Sequence, residues 1–457
     1  MIRANDQHKA NLTTGEVGKK IMSMALPMFF GIIGMIAFNL IDIYFIGRLG
    51  TLELAAVSFT FPVVYVIGSI SLGLGIGATA LISRAIGEGN SEKVKRLTTD
   101  SLLLSVIIIG CVIVFGLITM DSVFGFMGAS REQLSLIRDY MTLIYPGALF
   151  VVIPMVGNGA IRATGDMKTP AMIMGVAVLV NLILDPLLIF GLGPFPRLEV
   201  TGAALATVIS RAVALILSVS ILHFRKRMIA FTFPGIREVW QSWKQILYIG
   251  IATAGTQAVY PLGIGFILRI TATYGQEAVA AFGVATRIEA LALVSMMALA
   301  SAINPFIGQN LGAGNFERVK EGVRFVNRFA IKWGFAAAVV LALIAKPLSS
   351  ILNSDSEVIS ILSLFLWIIP ISYGLFGVMM ITNSSLNVLH RPLHATAISF
   401  IQMFVMFIPL AFLGSEFFGI KGIFGASMFS KTVAGIGAYY WLKRTLKHEL
   451  AEKRNVS

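Results

Sequence analysis

Charge is scarce in this sequence. Only 13 % of its 457 residues are charged and 56 % are hydrophobic, where a soluble chain carries about 25 % charged residues. No soluble core needs so much apolar sequence, so a soluble enzyme or binding module is excluded. Cysteine is almost absent. The single thiol, Cys111, lies in the apolar run 102–120, which rules out a disulfide framework; it is expected to be a small buried thiol. The five histidines (His8, His223, His390, His394 and His448) form no cluster, and no aspartate-rich metal motif is present. A membrane-embedded enzyme would want one or the other. The first twenty residues, Met1 to Lys20, are polar and lack the short apolar stretch of a cleavable signal peptide.

What is present is a succession of apolar runs, each near the roughly 20 residues that cross a bilayer. Twelve spans are expected, at about 21–47, 54–83, 98–120, 134–160, 169–191, 201–223, 245–271, 278–309, 325–345, 357–382, 393–413 and 419–442. The fold class is therefore an all-α membrane protein. A basic, aromatic stretch from Arg225 to Lys244 separates the two sets of six. The expected organisation is an N-terminal segment 1–20, a first lobe 21–223, a linker 224–244, a second lobe 245–442 and a tail 443–457.

The net charge of +13 does not indicate nucleic acid, because the basic residues sit in short loops at alternate helix ends. One set of helix ends holds Arg3, Lys9, Lys19, Lys20, Arg84, Lys93, Lys95, Arg96 and many later residues. The other holds only Arg48, Arg131, Arg138, Arg197, Arg269, Lys346 and Lys421. By the positive-inside rule both termini are cytoplasmic, in a cell inner membrane.

The halves repeat. Gly87-Glu88-Gly89-Asn90 matches Gly312-Ala313-Gly314-Asn315 at an offset of 225, and the same offset pairs Gly50 with Gly275 and Asn158 with Asn383. Six spans per half is an even number, so both halves enter the membrane in the same sense. Transporters built on such parallel repeats bind substrate between the halves. The competing reading is a duplicated fold with no transport role.

A charge inside a span costs several kcal/mol unless it is paired or faces water, which makes each one a functional candidate. Asp42 lies in the first span and Asp185 in the fifth. At about 1.5 Å per residue, each is roughly 9 Å from the outer end of its span. Asn39 shares a helix face with Asp42, as Asn181 does with Asp185. Pro186 leaves the Leu182 carbonyl without its helical donor. Thr207 on the sixth span and Tyr140 on the fourth fall at comparable height. Such a cluster suits reversible protonation, because a carboxylate that sheds its charge fits a drier, more compact lobe. The alternative is a packing role. At the offset of 225, Asp42 pairs with Ile267 and Asp185 with Leu410, so the acids occur once, as a coupling site would.

Arg211, Arg287, Glu289 and Lys431 are also intramembrane, and a structural salt bridge between helices is the simplest expectation for each. Gly73, Gly75 and Gly77 resemble a small-residue packing face. Asn158 and Asn383 are candidates for the substrate cavity, with symmetry-related packing as the rival.

Several segments carry a resemblance to a known family. They are Pro27, Asn39-x-x-Asp42, Gly87-Glu88-Gly89-Asn90, Arg162-Ala163-Thr164-Gly165-Asp166, Asn181-x-x-x-Asp185-Pro186, Gly202-Ala203-Ala204-Leu205-Ala206-Thr207 and Gly312-Ala313-Gly314-Asn315. In order and spacing the chain resembles the multidrug and toxic compound extrusion (MATE) family, most closely its DinF-like branch. The resemblance implies a V-shaped pair of six-helix lobes, acting as a monomer. It implies export of cationic or amphipathic organic compounds in exchange for inward H⁺ or Na⁺, with no resident cofactor and no metal beyond a coupling Na⁺. It implies coupling at Asp42 and Asp185 within a shell of Asn181, Tyr140 and Thr207, and bending of the first helix at Pro27. The NorM-like branch uses acids on the seventh and tenth spans, which this sequence lacks. Phe38 stands where some relatives carry tyrosine. H⁺ is the expected ion, Na⁺ the alternative, and a lipid-linked precursor flippase the rival transporter. A non-transporting scaffold would not need buried acids in one lobe.

Overall fold

The computed structural model describes residues 11–231 and 235–454. The positions of Arg3, His8 and Lys9, the first half of the expected segment 1–20, and Thr232 to Pro234 of the linker fall outside that range. Every regular element among the described residues is helical. Among the described residues eleven spans, one of them a bent pair, are long and apolar enough to cross a membrane, and a twelfth helix follows them. The first six are α1 (Val17–Gly47), α2 (Thr51–Gly87), α3 (Ser91–Phe126), α4 (Arg131–Ala163), α5 (Lys168–Phe190) and α6 (Glu199–Arg225). Then follow α7 (Ile236–Ala272), α8 (the pair Gln276–Ala292 and Val294–Gly312, bent by 42°), α9 (Phe316–Leu352), α10 (Ser356–Val388) and α11 (Pro392–Phe418). The last, α12 (Ile420–Arg454), carries Lys421 and Lys431 and is less apolar. It runs well past residue 442, so the expected tail is largely a continuation of this helix.

Local chemistry sets the helix ends. Asn90 caps α3 by accepting from the Lys93 N–H at 2.9 Å, Ser130 and Gln133 form a reciprocal capping box at α4, and Asp355 accepts from Glu357 and Val358 at α10. Prolines explain several irregular stretches. α4 breaks at Ala148 just after Pro146, and the 3₁₀ turn Ile369–Ser372 in α10 contains Pro370. The π-helical stretch Ile401–Phe407 in α11 runs up to Pro409. α1, by contrast, is continuous through Pro27.

The repeat is written in the backbone. Gly89 and Gly314 have φ of 71° and 74° in matching turns, where a side chain at positive φ would be strained. Gly165 and His390, also 225 apart, have φ of 85° and 56°.

The chain divides into two compact units. One is built from Leu26–Ile251, and the other from Leu12–Ala25 with Ala252–Ser457. The division after Ile251 lies beyond the expected linker, for a clear reason. In the first unit the start of α7 is packed on α2 and α3. Trp243 donates its indole N–H to the Asp100 carbonyl at 3.0 Å, and a Cβ on Gly77 would stand 2.9 Å from the Ile246 carbonyl. In the second unit, the Leu12 N–H donates to Gln309 at 3.1 Å, and a Cβ on Gly18 would meet the Phe325 ring. Glycines of the expected small-residue face do pack closely. A Cβ on Gly75 would come within 3.1 Å of the Met155 carbonyl.

Large apolar side chains are left outside this packing. Ile118, Phe126, Phe335 and Leu343 are more than 70 % exposed, as expected of surfaces solvated by lipid. Cys111 belongs with them. It is exposed rather than buried, because an apolar helix in a bilayer has no need to hide its thiol inside the protein.

Candidate functional site

The acid cluster lies in the first unit. Asp185 and Asn181 are fully covered, at 0 % and 1 % exposure, because α6 closes over α5. A Cβ on Gly202 of α6 would stand 2.4 Å from the Leu188 carbonyl, so only glycine permits that approach. The Asn181 amide donates to the Asp185 carboxylate at 3.0 Å, as a spacing of four on one helix allows. Asp42 of α1 acts electrostatically on Asp185, and both carboxylates act on the buried Tyr140 of α4. Asp42 Oδ1, Asp185 Oδ2, Asn181 Oδ1 and Arg211 Nε are buried with no hydrogen-bond partner, as is Thr207 Oγ1 one turn before Arg211 on α6. Buried polar atoms are usually paired, so these unpaired ones make the cluster a candidate for holding a proton, water or cation.

Arg211 was not expected here. It lies on α6 one turn beyond Thr207, with its guanidinium over the Phe38 ring at 4.6 Å, and it is electrostatically coupled to Asp42. A signal was available in the sequence, since Arg211 pairs with Ile436 at the offset of 225, the same one-lobe pattern as the aspartates. Asn39 departs from expectation in the other direction. It is exposed, because a spacing of three leaves it displaced around α1 from Asp42.

The two asparagines assigned to the cavity are both tied between helices. Asn158 accepts from the Ser218 hydroxyl at 3.3 Å, and Asn383 donates to the Ser399 hydroxyl at 2.9 Å. Asn383 Oδ1 remains buried without a partner.

A second intramembrane charge cluster lies in the other unit. Lys431 of α12 and Glu289 of α8 form a buried ion pair, each about 5 % exposed, and the ammonium also lies 5.1 Å from the centre of the Phe376 ring. This answers the expectation of a salt bridge for those two. Arg287, two residues from Glu289, is exposed. Among the described residues no group of three or more His, Cys, Asp or Glu is placed to hold a metal ion.

Comparison with known proteins follows the same division. The family model MatE matches residues 27–187 and again 252–413, two copies whose starts are 225 residues apart, as in the repeat. The chain is 40 % identical over 439 residues to a FAD transporter of Shewanella oneidensis, covering 96 % of this chain and 97 % of that one. It is 26 % identical over 426 residues to the multidrug export protein MepA of Staphylococcus haemolyticus, covering 92 % of each. Its fold matches the crystal structure of the Vibrio cholerae MATE transporter VcmN in the bent form with a TM-score of 0.90, at 32 % identity over 95 % of this chain and 98 % of that one. The twice-matched family model, the near full-length relatives and the matching fold thus converge, and the chain belongs to the MATE family of secondary transporters.

Proposed function

We propose that the chain is a proton-driven antiporter of the inner membrane, of the DinF-like branch, that exports small amphipathic organic compounds. The observation that carries this reading is the cluster of Asp42, Asp185 and Arg211 among buried polar atoms that have no protein partner. Two carboxylates and one guanidinium leave a net charge of −1. A single proton cancels that charge, and a cluster so neutralised tolerates desolvation that the charged one resists. Loss and gain of one proton therefore bias the lobe between a wetter and a drier packing. Na⁺ would cancel the same charge through the oxygens of Asp42, Asp185, Asn181 and Thr207. The adjacent guanidinium favours the proton, which needs one oxygen where a sodium ion needs several. The lysine and arginine bias supports cytoplasmic termini, and a monomer is sufficient for the mechanism. A lipid-linked precursor flippase would want a strongly cationic cavity, and two acids argue against it.

The cargo has two readings. Organic cations, as expected from the sequence, fit the likeness to a multidrug export protein. Flavin dinucleotide is favoured by a separate observation, the 40 % identity over nearly full length to a FAD transporter. In cells lacking their own exporters, expression should lower accumulation of a fluorescent cationic dye, or raise FAD in the medium. Asp42→Asn and Asp185→Asn should each return that signal to the level of cells without the protein, with membrane insertion unchanged. Full export by both variants would refute the coupling assignment.

A further inference from the structure

A cavity outside the acid cluster lies in the second unit. It measures about 710 Å³ and lies between the first turn of α11 and the last turns of α12. This is the size of a small-molecule site. By the lysine and arginine bias it opens on the cytoplasmic side. Arg391, His394, Arg444 and His448 line it, with Trp441 as the apolar wall and Glu449 as the one carboxylate among the described residues.

The internal repeat shows how unusual this lining is. Arg391 occupies the place that Asp166 holds in the first half, 225 residues earlier. Asp166 behaves as a residue before a helix should. Its carboxylate accepts from the Thr169 N–H at 3.0 Å and pairs with Lys226 at 2.8 Å. It thereby meets the positive end of α5 with negative charge. In the second half a cation stands at the matching helix start, as the N-cap residue, with no side-chain cap. His394 follows in the first turn, and its Nδ1 is buried with no hydrogen-bond partner. Cations at a helix N-terminus are electrostatically unfavourable, and the same end readily binds an anion. Among the described residues the compensating charge is loose, since Arg391 lies 3.9 Å from Glu449. Among the described residues Arg444 has no carboxylate at salt-bridge distance.

We infer that this groove is a binding site for a phosphate-bearing anion, with Arg391 and Arg444 on the phosphate and Trp441 against the apolar portion of the ligand. Arginine suits that role, because its planar fork binds phosphate oxygens in pairs. Two sources share the chemistry, the headgroup of an anionic phospholipid and a soluble phosphate ester such as a nucleotide. The site needs neither an ion gradient nor the acid cluster of the first unit.

The test uses the full chain purified in neutral detergent, with native mass spectrometry counting bound phosphatidylglycerol and, in a separate arm, bound ADP. At least one should bind. Arg444→Gln should weaken it on the order of ten-fold, as expected for loss of a charged hydrogen-bonding partner. Glu449→Gln, which frees Arg391, should tighten it. Arg391→Ser should weaken binding without lowering Tm, because serine restores a cap that arginine does not provide. Phosphatidylglycerol alone binding assigns the site to lipid, and ADP alone binding assigns it to a soluble ester. Absence of binding by either, or equal binding by Arg444→Gln and the unaltered chain, would overturn the inference.

Discussion

At the scale of single residues, the charge balance of the acid cluster turns on Arg211. Removing its guanidinium leaves two carboxylates with no cation in reach, while removing Asp42 leaves the guanidinium coupled to a neutral side chain. The two losses therefore should not add. Arg211→Gln alone should cut export on the order of ten-fold, and adding it to Asp42→Asn should lower export no further than Asp42→Asn does by itself. Multiplying losses would place Arg211 outside the coupling unit. Lys431 and Glu289 follow a different rule. Both are buried, so Lys431→Met strands a carboxylate in the protein interior and should cost about 3–5 kcal/mol. Lys431→Met with Glu289→Gln should recover most of that loss in thermal unfolding. The aspartates were legible because an ionisable group in an apolar run has few innocent explanations. The partners were not, because Arg211 with Asp42 and Lys431 with Glu289 are separated by more than 140 residues. Asn39 shows the limit of helical spacing as an argument, since sharing a face with Asp42 in sequence did not bring it under cover.

At the scale of elements, prolines are visible in the sequence but not which of them interrupt a helix, since α1 is continuous through Pro27 while α4 breaks after Pro146. Asp166 shows what one cap contributes. Burial alone would push its carboxyl up, but hydrogen bonds from Lys226, from the Thr169 N–H and from the Thr169 hydroxyl outweigh it and hold the carboxyl below its ordinary range. A depressed carboxyl stabilises the fold above its unfolded value, near pH 4, and that contribution is lost as pH falls through the folded one. Asp166→Asn should therefore lower stability by about 1 kcal/mol at pH 7. The gap between variant and unaltered chain should narrow as pH falls below about 4 and close as it passes the lower folded value, read as Tm in detergent. A gap that persists in acid would show that the carboxylate charge is not what matters. The breaks near Pro146 and Pro370 follow from missing amide donors, whereas the 42° bend in α8 has no proline beside it and left no mark in the sequence.

At the scale of the whole molecule, duplication made the architecture legible. An offset of 225 found in short motifs reappears in the paired family matches and in the paired positive-φ residues. The boundary between units was less legible. Composition marks the basic linker, but packing assigns the start of each half's first helix to the other unit, and only tertiary contacts reveal that exchange. Duplication also sharpens function, because what differs between the copies is what a repeat does not need for folding. Asp42, Asp185 and Arg211 have no counterparts at the matching positions of the second half, and the switch from Asp166 to Arg391 reverses a charge at matching helix ends.

The central claim is that proton movement through Asp42 and Asp185 drives export. It is tested most directly in proteoliposomes loaded with dye or FAD, with a pH gradient and a sodium gradient imposed one at a time. The account predicts transport under the pH gradient alone, acidification on the trans side that matches it, and loss of both in Asp42→Asn and in Asp185→Asn. Transport under the sodium gradient alone, or undiminished proton flux in either variant, would contradict it.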